Sequence, residues 1–224
     1  LTELLTYQKV MDVNFFGMVR CCKAFLPIFQ GQSMDHKHTG SRIINLVSVA
    51  GLCPMEAGSA YASSKHAAIG FTDSLRGELR PFHIQVSTVN PAFHSTPMLD
   101  HAMELGPDLL KSLPLETREK YGEEYFEQKL KAAKVLIETS SWKMDVVVEH
   151  IVHCLEVART PAEAQIGLDA RFSFMPILML PKWLSGAIFS KLLFSVPKPA
   201  AMKLDKEENS LKRYIASMTK IHAP

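Results

Sequence analysis

Apolar residues recur at helical spacing over residues 3–30, with Leu4, Leu5, Val10, Met11, Val13, Phe16, Val19 and Leu26 on the repeat and Pro27 near the end. The pattern predicts one long helix, followed by a polar loop over 30–41. Residues 42–49 (RIINLVSV) read differently: short, β-branched, apolar on both faces and bounded by Gly40 and Gly51. That composition predicts a strand covered on both sides, as in a parallel sheet. Helical spacing returns over 59–80 with many small residues, among them Ala60, Ala62, Ala67, Ala68 and Gly70. Residues 83–89 (HIQVSTV) predict a second strand, closed by Asn90-Pro91. A charged helix over 114–138 follows, then one over 143–158 with Val146, Val147, Ile151 and Leu155 inward.

Helix and strand in alternation, punctuated by glycine, predict an α/β fold with a parallel sheet. The stretch 172–196 is unusually apolar, whereas 203–224 is polar and lysine-rich. We therefore divide the chain into a catalytic α/β part over 1–170, an apolar segment over 171–200 and a polar tail over 201–224. With 224 residues, 47% of them hydrophobic, one domain with a sizeable core is affordable to the chain. A net charge of +2 argues against a nucleic-acid partner. The four cysteines form no C-x-x-C pair, and reduced thiols are the expectation. His36 and His38 flank Lys37 in a polar loop without a third ligand, so no metal is expected.

Tyr61 and Lys65 stand four apart on the small-residue helix and share a face. Ser48 lies at the carboxyl end of the preceding strand, where open α/β sheets place their ligands. An alcohol gives up a hydride only if its hydroxyl proton leaves as well. A phenol, with an ordinary pKa of about 10, is a poor base near neutrality. A nearby ammonium is expected to favour the phenolate, and the serine hydroxyl to hold the substrate oxygen. Y-x-x-x-K alone is weak evidence, since Tyr125 and Lys129 match it too. That second pair lies in EEYFEQK, a charged helix with no strand-end serine before it, and reads as structural.

In this order the residues resemble the short-chain dehydrogenase/reductase family, over 11–97. Asp12-Val13-Asn14 with Gly17 is similar to the helix carrying the family's asparagine. IINLVSVAG places Ser48 13 residues before Tyr61, and YASSK supplies Tyr61 and Lys65. NPAFHST is similar to the P-G-x-x-x-T element, with Pro91 and Thr96 matching and Ala92 in place of the glycine. The resemblance implies a Rossmann-like, doubly wound parallel sheet and an NAD- or NADP-dependent alcohol/carbonyl oxidoreductase. It implies a tetrad of Asn14, Ser48, Tyr61 and Lys65, with Tyr61, Lys65, Pro91 and Thr96 toward the cofactor. YGEEYFE at 121–127 and the apolar C-terminal stretch are similar to the retinol and 17β-hydroxysteroid dehydrogenase subgroup. That implies a lipophilic substrate and association with the endoplasmic reticulum membrane; a cytoplasmic location is the alternative.

The family's T-G-x-x-x-G-x-G turn and N-N-A-G strand do not occur in the sequence, which also opens on Leu1 without a leader. The expectation is a fold truncated at its N-terminus, binding dinucleotide poorly by itself, with an exposed strand edge over 42–49 that favours aggregation. Two further functional readings stay open: a non-catalytic product acting by pairing with a complete paralogue, and a reductase of small soluble carbonyls. Pairing of two copies through the Tyr61 helix is a further expectation of the resemblance. The 172–196 stretch is broken by Pro176, Pro181, Lys182 and Lys191, so no spanning helix is expected. It suits either a substrate lid or a segment lying in a membrane interface.

Overall fold

Three short parallel strands carry the site: β1 (Arg42–Leu46), β2 (Gln85–Pro91) and β3 (Glu163–Ile166), in that spatial order. The computed structural model describes residues 2–34, 40–56, 58–140, 142–167, 170–193 and 199–200. The pairing runs from Arg42 opposite Gln85 to Leu46 opposite Val89, and from Thr88 opposite Glu163 to Pro91 opposite Ile166. The helices are α1 (Leu4–Met11), α2 (Gly17–Met34), α3 (Ser59–Leu79), α4 (Pro97–Lys111) and α5 (Leu115–Tyr121). They continue with α6 (Glu123–Ser140), α7 (Asp145–Glu156), α8 (Met175–Leu178) and α9 (Lys182–Leu193).

Helices cover both faces of the sheet, and β1 and β2 direct apolar side chains to each. On one face Ile43 and Val86 pack against Cys22 of α2 and Leu75 and Leu79 of α3. On the other, Val89, Ala164 and Ile166 pack against Val147 and Ile151 of α7. Each fully buried aliphatic side chain there contributes about 1.5–3 kcal/mol. Charged and amide side chains stitch the layers at their ends. Arg42 donates from Nη1 to the Cys154 carbonyl at 2.7 Å and to the Leu155 carbonyl, and from Nη2 to Val157 at 2.5 Å. It thus caps the C-terminus of α7 with a cation, the sign the helix dipole favours. Arg76 on α3 reaches the Val86 carbonyl at 2.7 Å and the Ala162 carbonyl at 2.8 Å, holding α3 to β2 and to the approach to β3.

Several boundaries differ from the sequence pattern. The first helix runs on past Pro27 to Met34, because Leu26 and Phe29 pack on the core and hold the turns on either side of the proline. A π-helical turn, Asp12–Phe16, interrupts it, and no residue type announces such a turn. β1 ends at Leu46, although the Val47 amide still bonds the Val89 carbonyl at 2.8 Å. β2 begins at Gln85 because His83, at φ 55°, closes a 3₁₀ turn just before it. The expected helix over 114–138 is two helices, parted at Gly122, whose φ of 82° suits glycine. His36 and His38, and the tail over 201–224, lie outside the described residues.

Two compact units are present. One comprises the residues up to Ser95 together with Ser140–Ser190, and holds the sheet. The other contains α4, α5 and α6. Within it the Tyr121, Tyr125 and Phe126 rings cluster at 5.2–5.6 Å. No described helix is long and apolar enough to cross a membrane.

Candidate active site

α3 buries a stripe of Ala60, Ser64, Ala68, Thr72, Leu75 and Leu79 against the sheet. The small members let the helix approach closely, and two polar ones are anchored. Thr72 Oγ1 accepts from Asn45 Nδ2 of β1 at 2.8 Å and donates to the Ala68 carbonyl at 2.7 Å. This fixes the rotation of α3, so Tyr61 and Lys65, beside the stripe, come out half-buried. The Lys65 ammonium lies 5.5 Å from the centroid of the Tyr61 ring.

Ser48 sits two residues beyond β1, where it caps a short 3₁₀ turn, Val49–Gly51. Its Oγ accepts the Ala50 amide at 3.1 Å and makes a long 3.4 Å contact to the Pro91 carbonyl, and its hydroxyl acts on the Tyr61 phenol. The turn then packs directly on α3 at Gly51. A Cβ there would come within 2.8 Å of the Lys65 carbonyl oxygen and 2.7 Å of Ile69 Cδ1. The glycine that bounds the strand in the sequence is therefore what lets the serine turn meet the lysine turn, a role its spacing alone did not reveal.

Asn14 lies in the π-helical turn and donates from Nδ2 to Ser64 Oγ at 3.0 Å. Ser64 Oγ donates to the Tyr61 carbonyl at 2.7 Å. Asn14 is thus linked to the Tyr61 peptide through Ser64, a residue that sequence reasoning passed over. The available signal was a small hydroxyl on the inward stripe between Tyr61 and Lys65. Tyr7 of α1 adds a second tie, to Ser59 at the start of α3, at 2.5 Å.

Burial pushes the Tyr61 phenol above its ordinary value, and the Ser48 hydrogen bond only partly offsets that. Burial likewise pulls the Lys65 ammonium below its own. The expectation that the ammonium lowers the phenol is not what the protein shows: desolvation dominates, and both groups shift toward their neutral forms. Local stacking does not single out this pair either. Lys129 lies 5.6 Å from the Tyr125 ring, nearly the same distance. Tyr125, however, is half-buried in its aromatic cluster with Tyr121 of α5 and Phe126, and the serine turn accompanies Tyr61 alone.

Of the residues expected toward a cofactor, Pro91 ends β2 and meets Ser48 through its carbonyl. Thr96 belongs to the other unit, immediately before α4. Between them His94 is 6% exposed, bonds the Ala92 carbonyl through Nδ1 at 3.1 Å, and leaves Nε2 buried without a partner among the described residues. No group of three potential metal ligands occurs among the described residues.

Residues 2–104 match the short chain dehydrogenase family. The chain is 29% identical over 200 residues to bovine 17-beta-hydroxysteroid dehydrogenase type 6, covering 88% of this chain and 60% of that one. It is 30% identical over 194 residues to rat retinol dehydrogenase 16, covering 85% and 57%. The chain belongs to the short-chain dehydrogenase/reductase family. Solved structures agree in fold. A short-chain dehydrogenase from Burkholderia cenocepacia in complex with NADP superposes with a TM-score of 0.56 at 20% identity, over 84% of this chain and 59% of that one. Actinorhodin polyketide ketoreductase with NADPH gives 0.54 at 23%, over 73% and 58%. This short-chain dehydrogenase/reductase spans about 60% of the length of the curated relatives it matches.

Proposed function

We propose that the chain carries the proton-transfer machinery of an NAD- or NADP-dependent interconversion of an alcohol and a carbonyl, with a lipophilic retinoid or steroid as substrate. The observation that carries this reading is the convergence of Ser48, Tyr61 and Lys65 at one rim of the sheet. The kinship with proteins named for retinol and hydroxysteroids supports the substrate class.

The chain's residues suit the nicotinamide end of such a cofactor. Lys65 is a half-buried ammonium in no ion pair with a described residue, ready for ribose hydroxyls, and the orphaned His94 Nε2 lies in the segment between Pro91 and Thr96. When bound, the nicotinamide accepts or delivers the hydride. Tyr61 takes the hydroxyl proton of the alcohol, or returns it to the carbonyl oxygen. Ser48 Oγ, on the turn that faces the phenol, holds that oxygen beside it. Lys65 offers a positive charge to the phenolate as it forms, and water is partly excluded by the burial that shifts both groups.

The test is turnover of retinol and of a hydroxysteroid by the purified chain with NAD or NADP, read as reduced nicotinamide. Tyr61→Phe should lower the rate by about 10²–10⁴-fold. Undiminished turnover rejects the assignment. If the unaltered chain neither turns over substrate nor binds dinucleotide, the non-catalytic reading replaces the enzymatic one.

Contact with a membrane surface belongs to the same proposal. The π-helical turn Ala170–Phe174 and α9 pack together through Phe174 and Phe189, with ring centroids 5.9 Å apart. Between them Met179 is 85% and Trp183 76% exposed. No acidic residue occurs from 170 to 204, whereas Arg171, Lys182 and Lys191 do. An apolar, aromatic tip with only cations around it suits the interface of an anionic bilayer.

A further inference from the structure

Ser64 is the most completely enclosed polar residue between Tyr61 and Lys65, at 0% exposure. Its hydroxyl has one proton and two acceptor sites. The Tyr61 carbonyl can only accept, so the bond of 2.7 Å to it uses that proton. The 3.0 Å contact with Asn14 must then be donated by Asn14. An asparagine side chain has a donor end and an acceptor end of nearly the same shape, and nothing in packing alone distinguishes them. The proton count at Ser64 does. With Nδ2 committed, Asn14 Oδ1 is left as the acceptor end, and it takes no hydrogen bond from a described residue.

We propose that Ser64 is a positioning residue that sets the polarity of the Asn14 amide, turning Nδ2 to itself and leaving Oδ1 as the accepting end. The inference rests on the enzymatic reading of the Tyr61 site for its purpose, though not for its geometry. The π-helical turn supports it. One extra residue in the turn displaces Asn14 from the ordinary α-helical register, and such turns recur at functional sites. A hydroxyl at position 64 also ties that turn to the same peptide that carries the phenol, so Asn14 and Tyr61 move together.

The consequence is a directional pattern that packing would not produce. Asn14→Asp puts an acceptor-only group opposite Ser64. The Ser64 proton then turns to the carboxylate and leaves the Tyr61 carbonyl. Asn14→Ala removes the partner and leaves the bond to Tyr61 in place. Ser64→Ala deletes both bonds. The Tyr61–Ala62 peptide is the single Tyr-Ala pair in the sequence, so ¹³C-carbonyl tyrosine with ¹⁵N-alanine gives one NMR signal for it in the full chain. We expect that carbonyl carbon to move upfield in Asn14→Asp and in Ser64→Ala, and to stay in place in Asn14→Ala. We also expect Ser64→Ala to speed hydrogen exchange of the Asn14 side-chain amide by about five- to tenfold, as loss of one ordinary hydrogen bond requires. Equal shifts in Asn14→Asp and Asn14→Ala, or an unchanged Asn14 amide in Ser64→Ala, overturn the proposal. Neither signal depends on turnover, so an active Tyr61→Phe sinks the enzymatic reading separately.

Discussion

The two groups most central to the proposed chemistry are held against their ordinary ionisation. Lys65 is drawn below 10.5 by burial, so its charged form destabilises the fold at neutral pH. For a depressed base the penalty is complete below the folded pKa and gone above the unfolded one. Lys65→Met should therefore raise the thermal midpoint at pH 7, and the gain over the unaltered chain should close as pH passes about 10.5. A gain independent of pH would point to packing instead. Tyr61 has the opposite sign: its phenol is raised, so the protonated form is favoured in the fold and stability falls as pH climbs past 10. The cysteines sort the same way. Cys53 is buried and pushed up to about 11, whereas Cys21 is exposed. Iodoacetamide at mildly alkaline pH should label Cys21 in the folded chain and leave Cys53 until denaturant is added, which peptide mapping will read. Ser48, Tyr61 and Lys65 were legible from spacing because type and interval are written in the sequence. Their ionisation was not, because desolvation depends on what the fold stacks around them.

At the level of elements, β1 is one of the two edges of the sheet among the described residues, and Leu46 on it is 46% exposed. A parallel edge whose far end carries no charge is a template for another strand. Leu46→Lys should reduce self-association of the purified chain, seen as a lower scattering mass at equal concentration; no change would place the association elsewhere. The strands β1 and β2 were readable because runs of β-branched residues are rare outside buried sheets. β3 was not: Glu163–Ile166 has four residues, two of them polar, and becomes a strand because β2 offers it an edge. The break at Gly122 and the π-helical turn at Asn14 were hidden for a related reason, since a helical repeat continues across both. At Gly51 the sequence showed a glycine and the fold shows why. Gly51→Ala drives a methyl into the Lys65 carbonyl, an immovable neighbour, and should cost about 2–3 kcal/mol, measured by chemical denaturation. A neutral result would mean that the turn can slide away from α3.

Across the whole molecule, the sheet and the serine turn lie in one compact unit while Thr96 and α4 to α6 belong to the other. The apolar tip near Trp183 belongs to the first. On vesicles rich in phosphatidylserine, Trp183 emission should shift to shorter wavelength and be quenched by brominated acyl chains. Phosphatidylcholine vesicles should give a weaker response, and Trp183→Phe should abolish the change, leaving only Trp142. Equal behaviour with and without vesicles would remove the membrane proposal. The contact at Gly51 has a last implication for how such a protein diversifies. Where peptide meets peptide there are no rotamers to change, so the spacing of the reacting groups is insulated from whatever surrounds them. Residues lining the route of entry can then drift toward bulkier or slimmer guests while the chemistry at the rim keeps its alignment.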